Sequence, residues 1–477
     1  MRCESQRGVF YLEPDIIALI IIAAMLILYV TELVPVTVTS ILACLALAVF
    51  GVIPPEKAFA GFGNDIVFML AGMTVVGAAL FETGAAGVIG KLIISVVGTN
   101  EKVFIAGLML FSIPFSAFLS NTATAAIMLP IASAAITASG GKLLKKNSYM
   151  AIGIMCVAGG GLTLVSSTPQ LIAQGLLRDN GYKTIGFFEV GAIGFPILIL
   201  LFLFFMTIGF TLQKKFFDFP EIGGEHDEAV SSGGEHDEAA PQGGTADGTL
   251  RSGAGAALPG SEPSKAALSD NTLSVETVHS PIKMYISIGA LLFCIIGYIT
   301  GLWTMGTVSM LGAVVCVSAG CIPQKTVFQK IDWTTIILMG CSFGVAAALD
   351  ASGGGRLIAQ SMISLLGDRI SPWLLFSSLA LIAVILTNLM SSTATAALLI
   401  PIAVFAAAEL GYDVKSAAIA VAIAANVGYA TPISTPPLTM TLSAGYRFKD
   451  YVKVGGLFNI FAYALMVLLF PLVLNTH

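Results

Sequence analysis

Apolar runs recur from one end of the chain to the other, among them residues 16–30, 195–210 and 458–474, and they dictate its solvent. With its flanks, each run approaches the roughly 20 residues that a helix needs to cross a bilayer. Inside lipid every backbone N–H and C=O must be paired within the fold, which a helix does for itself. Composition agrees: 56% of the 477 residues are hydrophobic and 11% charged, with a mean hydropathy of +0.90. Soluble domains carry about 25% charged residues. An all-α, polytopic membrane protein is therefore expected.

The first run reads as a span rather than a cleaved leader. Arg2 and Arg7 precede it, but Glu13 and Asp15 intervene, and no short apolar core ends in a small-residue cleavage site. Leu42-Ala43-Cys44 has a slight look of a lipoprotein box, yet it lies too deep and more apolar residues follow. The seven cysteines are Cys3, Cys44, Cys156, Cys294, Cys316, Cys321 and Cys341, with no CxxC pair among them. Neither a zinc site nor a disulfide framework is indicated. Most sit in apolar segments, where Cys behaves as a small hydrophobe.

From Asp218 to Ser280 the composition changes to Gly, Ser, Ala, Pro and Glu, and "GGEHDEA" occurs at 223–229 and again at 233–239. Such a stretch cannot bury enough apolar area to offset the entropy of ordering. Residues 214–280 therefore read as a disordered acidic cytoplasmic linker, the source of much of the net charge of −5. His226 and His236 could hold a metal loosely, but a solvated linker is the simpler reading.

The linker divides two apolar halves, 1–213 and 281–477, that resemble each other in order. "NDIVFMLAGMTVVGAALFETG" (64–84) answers "DWTTIILMGCSFGVAAALDASG" (332–353) with one inserted residue. An amphipathic stretch follows each, at 85–98 and 354–367. Then "SNTATAAIMLP" (120–130) answers "SSTATAALLIP" (391–401), and "GLTLVSSTPQ" (161–170) answers "GYATPISTPPL" (428–438). Features shared in the same order indicate an internal repeat. Each half is expected to hold two helices (16–34 and 36–52; 283–301 and 303–320) and a third (64–82; 332–350). An apolar hairpin broken by the repeated phrase (101–138; 371–409), a broken helix around the TP element (147–178; 414–446) and a closing helix (186–213; 454–474) complete it.

With the linker cytoplasmic, and its own two basic residues left out, this threading puts thirteen Lys and Arg inside, Lys142, Lys145, Lys146, Lys214, Lys215, Arg447, Lys449 and Lys453 among them, against eight outside (Arg2, Arg7, Lys57, Arg178, Lys183, Arg356, Arg369 and Lys415), a modest bias in the sense of the positive-inside rule. The first hairpin then enters from the cytoplasm and the second from outside, so the repeats are inverted. Helices interrupted near the midplane of inverted repeats are a recurring plan for secondary transporters. Ser120, Asn121 and Thr122 supply short neutral donors and acceptors at the first hairpin tip, as do Ser391, Ser392 and Thr393 at the second. Each second arm begins there, directing free N–H groups and a positive dipole end at the centre. Thr168-Pro169 and Thr435-Pro436 look like an N-cap Thr with Pro at the first helical position, restarting a helix toward the same place. An anion suits such ends, and hydroxyls and carbonyls on the unwound sides suit a small cation such as Na⁺. Close helix packing is the plainer use of small hydroxyl residues, but two phrases in register, each followed by a TP break, favour binding.

No Lys or Arg lies in either phrase or TP element. Glu32, Asp65, Glu82, Asp332 and Asp350 fall near predicted helix ends and read as interfacial or capping residues, with Glu32 the least comfortable. An intramembrane enzyme is disfavoured: the chain has no HExxH motif and only four His.

The SNT phrase at 120–122, its SST counterpart at 391–393 and the TP elements at 168–169 and 435–436 resemble the divalent anion/sodium symporter family, over nearly the whole chain outside the linker. The resemblance implies Na⁺-coupled carriage of dicarboxylates, citrate or sulfate without an organic cofactor. It also implies a homodimer whose protomers each hold a scaffold domain and a transport domain moving as an elevator. Carried across by position, one Na⁺ site uses Ser116, Ser120 and Asn121 with backbone near Ser167. The other uses Thr387, Ser391 and Ser392 with backbone near Ser434. The anion then meets Ser120, Asn121, Thr122, Ser391, Ser392, Thr393, Thr168, Thr435 and Pro436. The chain departs from the family pattern at Ser392, where Asn is usual, and at TPQL and TPPL, which lack an expected Asn. It also begins at the first repeat, without the family's extra leading helix, which puts the N-terminus outside. A Na⁺ symporter of a C4-dicarboxylate is expected, in a bacterial inner membrane, with lipid and a second protomer as partners and no nucleic acid. Sulfate symport and Na⁺-independent anion exchange are the alternatives.

Overall fold

The computed structural model describes residues 13–31, 33–84, 100–139, 142–217, 280–354, 357, 361 and 371–474. Glu32, the stretch predicted at 85–98, most of that at 354–367 and the linker from 218 to 279 lie outside the described residues. Among the described residues, nine helices are long and apolar enough to cross a membrane. The chain is a multi-pass integral membrane protein.

The first half runs α1 (Pro14–Thr31), α2 (Val36–Val49), α3 (Asp65–Glu82), a hairpin of α4 (Glu101–Phe118) and α5 (Asn121–Ala138), and a broken helix of α6 (Lys145–Gly159) and α7 (Thr168–Asp179). It closes with α8, continuous over residues 191–216 through a π-helical turn, Phe205–Gly209. The second half repeats the order: α9 (Pro281–Thr300), α10 (Met305–Ser318), α11 (Trp333–Ser352), hairpin α12 (Pro372–Leu389) and α13 (Ser392–Glu409), broken helix α14 (Val414–Ala425) and α15 (Pro436–Thr441), and α16 (Phe448–Val473). The two halves thus carry the same elements in the same order.

Helix boundaries follow local chemistry. Ser120 and Ser391 cap the second arms, each hydroxyl accepting an N–H, from Ala123 and Ala394, at 3.2 Å. Asn64, Asn100, Thr304, Asp332, Ser371 and Asp413 cap other helices in the same way. Asp65, Glu82, Asp332 and Asp350 do lie at helix ends. Both α2 and α10 are shorter than expected, at 14 residues each. At 1.5 Å per residue that is about 21 Å, well under a bilayer's roughly 30 Å. Each stops before a left-handed glycine, Gly51 (φ 73°) or Gly320 (φ 68°), the conformation that ends helices and favours Gly. The polar short helices Pro55–Ala58 and Gln324–Lys330 that follow have no apolar run to announce them.

The halves are exchanged partners rather than neighbours. Helix α2 packs on α11 of the other half, and α10 packs on α3. Likewise α7 lies against α13 and α14, while α15 lies against α5 and α6. Small residues permit these approaches: a Cβ on Gly72 of α3 would stand 2.6 Å from the Ser309 backbone of α10. In lipid, such close packing and not water exclusion drives helix association.

The closing helices press on the breaks at matching positions. A Cβ on Gly194 would lie 2.0 Å from the Gly161 carbonyl oxygen, and one on Gly455 would lie 1.8 Å from that of Tyr429. A backbone oxygen cannot swing aside. Gly455→Ala is accordingly expected to destabilise the protein by about 1–3 kcal/mol, the usual cost of overpacking, lowering its thermal unfolding midpoint in detergent. A midpoint equal to wild type would contradict this close approach.

Candidate functional site

Both broken helices reopen into the same hydroxyl-stitched turn. Ser166 Oγ donates to Gly160 O at 2.6 Å and lies 3.0 Å from Thr163 O. Ser434 Oγ likewise donates to Gly428 O and lies 3.0 Å from Thr431 O. The structural register therefore pairs Ser166 with Ser434, one residue away from the alignment of the TP letters, which pairs Ser167 with Ser434. The helix starts agree. Helix α15 begins at Pro436 with Thr435 as N-cap, as expected, but α7 begins at Thr168 with Ser167 as N-cap. Thr168 is thus the first helical residue rather than the cap. Neither cap residue accepts a side-chain capping bond.

Each hairpin tip rests on the break of its own half. In the first, Ser116 Oγ, fully buried, lies 3.0 Å from Asn121 Oδ1 and donates to Cys156 O. Asn121 covers Gly160 so closely that a Cβ there would sit 2.2 Å from Asn121 Oδ1. Thr163 Oγ1 donates to Ala117 O, and Gln170 Nε2 to Gly160 O at 3.2 Å. In the second, Ser392 N donates to Ser434 O at 2.9 Å, and Thr387 Oγ1 to Ala425 O at 2.7 Å. Gly428 sits between Thr387 and Ser434: its Cβ would lie 3.0 Å from Thr387 Oγ1 and 2.8 Å from Ser434 Cβ.

The two breaks then meet. Ser167 Oγ, from the first half, donates to Asn426 Oδ1 of the second at 2.6 Å. Contacts thus run from Asn121 through Gly160, Ser166 and Ser167 to Asn426, and two residues further on Gly428 is bonded to Ser434, which holds Ser392. Ser120 is exposed; Asn121, Thr122, Thr168, Ser391 and Thr393 are half-buried; Pro436 is exposed. Ser167 turns its hydroxyl to the opposite break, away from Ser116 and Asn121.

Sequence reasoning missed Thr163, Ser166, Gln170, Asn388, Asn426 and Asn459. The available signal was polarity: amides and hydroxyls at membrane depth are costly and belong to sites by default. Several oxygens remain unspent. Thr431 Oγ1, Thr435 Oγ1, Thr395 Oγ1 and Gln170 Oε1 are buried without a hydrogen-bond partner. In a dry interior an unpaired polar group costs about 1–3 kcal/mol.

The breaks differ in access. From Pro169 to Leu177, α7 is buried, whereas Ile433, Pro436, Thr439 and Ser443 around α15 are exposed. The C-terminal end of α7 is tied to the start of α3 by Arg178–Asp65 at 2.7 Å, and Asn64 Nδ2 donates to Asp179 Oδ2 at 2.6 Å. Thr304 Oγ1 donates to Asp65 Oδ1 at 2.5 Å. At the corresponding end of α15, Tyr446 Oη instead donates to Lys146 O of α6 at 2.7 Å.

A family model described as "Citrate transporter" matches residues 25–420, from within α1 into α14. The chain belongs to this citrate transporter family. It is a membrane transporter and not an enzyme, as the sequence implied. It is 24% identical to the sodium-dependent dicarboxylate transporter SdcS of Staphylococcus saprophyticus, over 92% of this chain and 82% of that one. It is 22% identical to the uncharacterized transporter YfbS of Escherichia coli, over 95% and 98%. Among solved structures, MtrF of Neisseria gonorrhoeae superposes with a TM-score of 0.54 at 15% identity, covering 97% of this chain and 96% of that one. The Alcanivorax borkumensis YdaH transporter gives 0.52 at 13% identity, with 96% and 98% covered. At such identities these two speak for the fold alone.

The difference in access can be read chemically. Thr439 and Leu171 occupy matched positions in the structural register, the first exposed and the second buried. The described cysteines are all buried, so with Cys3 replaced by Ser the background is low. Thr439→Cys is expected to react with a water-soluble maleimide in the native protein, and Leu171→Cys only after unfolding. Equal labelling would contradict this difference in exposure.

Proposed function

We propose that this chain is a Na⁺-driven symporter of a small dianion, a C4-dicarboxylate such as succinate, malate or fumarate. The carrying observation is a centre of neutral groups: two capped hairpin tips held against two hydroxyl-stitched breaks, with no Lys or Arg in either tip phrase or TP element. A dianion there must be met by N–H groups, hydroxyls and helix ends. Ser120 and Ser391 each accept one N–H and keep a proton to donate. Beside them, Asn121, Thr122, Ser392, Thr393, Thr168, Thr435 and Pro436 complete the anion's surroundings in this reading.

Burying an unpaired charge is prohibitive, and coupling follows from that. Na⁺ takes neutral oxygens readily, and the donor sets offered are oxygen throughout: Ser116, Ser120 and Asn121 near the first break, and Thr387, Ser391, Ser392 and Ser434 near the second. The unpartnered hydroxyl of Thr435 fits the same purpose. Neither ion neutralises its site alone, so each raises the affinity of the other by an equal factor. The name of the relative SdcS, a sodium-dependent dicarboxylate transporter, supports this choice of ions.

Hairpins and broken helices contact one another throughout, and in this reading they move as one body against α1–α3 and α9–α11, within a homodimer. The exposed side is that of α15, where Lys145, Lys146, Arg447 and Lys449 gather. By the positive-inside rule the conformation faces the cytoplasm of a bacterial inner membrane.

Two measurements test the proposal. Succinate uptake into proteoliposomes is expected to fall at least tenfold when Na⁺ is replaced by choline, as roughly 1.4 kcal/mol of coupling requires. Undiminished uptake means exchange, and symport is then wrong. Gly160→Ala, which drives the Asn121 carboxamide from its seat, is expected to lose the stabilisation that Na⁺ and succinate together confer in thermal unfolding. Wild-type stabilisation in that variant would place the ions elsewhere.

A further inference from the structure

The second hairpin tip carries Ser392 where the first carries Asn121, so one tip lacks a carboxamide. A pair of carboxamides appears nearby, in the second half only. Asn388 lies on α12, one turn before the tip. Its Oδ1 accepts Ala430 N at 2.9 Å, and its Nδ2 lies 2.6 Å from Val384 O and 3.4 Å from Val427 O. Asn459, on α16 and buried, donates through Nδ2 to Asn388 Oδ1 at 3.0 Å and accepts Tyr429 N at 3.1 Å. Both backbone partners are N–H donors, which fixes which end of each amide faces the break.

The first half has nothing equivalent. In the register of the repeated phrase, Asn388 corresponds to Ala117, whose carbonyl accepts Thr163 Oγ1. In the register of Gly194 and Gly455, Asn459 corresponds to Leu198. The first break is thus stitched by its own hydroxyls and by Gln170, while the second is gripped from outside by two helices. The grip spans Val427, Tyr429 and Ala430. Between them lies Gly428, the residue wedged against Thr387 and Ser434. In the second half, the counterpart of Thr163 is Thr431, and its hydroxyl is left unpartnered.

The geometry points to Asn388 and Asn459 as positioning residues for the second cation site, holding the carbonyls around Gly428 in the shape that receives Na⁺. They take the place of the carboxamide missing at Ser392. This rests on the Na⁺-symport reading above. Through three backbone anchors, the pair converts an unwound, otherwise deformable turn into a preorganised one. A role confined to satisfying the backbone would affect stability and leave the ion dependences unchanged.

The test uses the full chain in proteoliposomes, varying Na⁺ at fixed succinate and then succinate at saturating Na⁺. Asn388→Leu removes all the anchors of that residue; Asn459→Asp keeps the acceptor for Tyr429 N and loses the donor to Asn388. Each lost hydrogen bond is worth about 1 kcal/mol, so the Na⁺ concentration for half-maximal uptake is expected to rise about tenfold in Asn388→Leu. A smaller rise is expected in Asn459→Asp, with the succinate KM at saturating Na⁺ nearly unchanged in both. Ile460→Ala, on the exposed face of the same helix, should match wild type. Wild-type Na⁺ dependence in both variants overturns the inference, as does a succinate KM that rises as much as the Na⁺ requirement. If Asn388→Leu fails to assemble, Asn459→Asp decides by the same criterion. Loss of Na⁺ dependence in the unsubstituted chain would instead sink the symport reading, a result distinguishable because it involves no variant.

Discussion

A helix broken at membrane depth exposes backbone groups that no water reaches, and the centre of this protein is organised around pairing them. The chain breaks four helical paths: at Leu119–Ser120, at 160–167, at Met390–Ser391 and at 426–435. Each tip is capped by a serine and pressed against the neighbouring break, so that what one interruption lacks another supplies. Ser392 N to Ser434 O and Ser167 Oγ to Asn426 Oδ1 are the clearest cases. Much of the polarity at the breaks is mutually satisfied in this way, and a few buried oxygens, those of Thr431, Thr435, Thr395 and Gln170 among them, are left over.

The exchange of partners between halves makes that centre rigid. If each repeat folded on itself, the two breaks would have no reason to meet. Because α7 packs on α13 and α14 while α15 packs on α5 and α6, the restarted helices cross over and bring Ser167 to Asn426. The same exchange between α2 and α11 and between α10 and α3 ties the outer helices. Each half thus packs its helices on those of the other.

Symmetry in sequence does not give symmetry in function here. The first break lies behind a buried α7 whose end is ionically tied to α3, while the second lies beside a half-exposed α15. Inverted repeats can exchange such roles as a transporter alternates. The second break is also held by the carboxamides of Asn388 and Asn459, where the first is stitched by its own hydroxyls and by Gln170.

Sequence alone determined the long apolar helices, the repeated order of elements and the location of all four interruptions, because lipid makes hydropathy and helix-capping residues decisive on a local scale. Ser120 and Ser391 announced their caps, and the arms beside them ran almost as the apolar stretches indicated. The one-residue shift between Ser166 and Ser434 was hidden, because the letters Ser-Thr-Pro align more easily than the hydroxyl bonds that set the true register. Asn388 and Asn459 are 71 residues apart, and neither stands in a repeated motif. Their meeting, the crossing of α7 and α15 and the opening on one side depend on which helices touch at a distance along the chain. Those contacts were decided only by tertiary packing, since small-residue contacts in lipid leave no periodic trace from which a partner can be read.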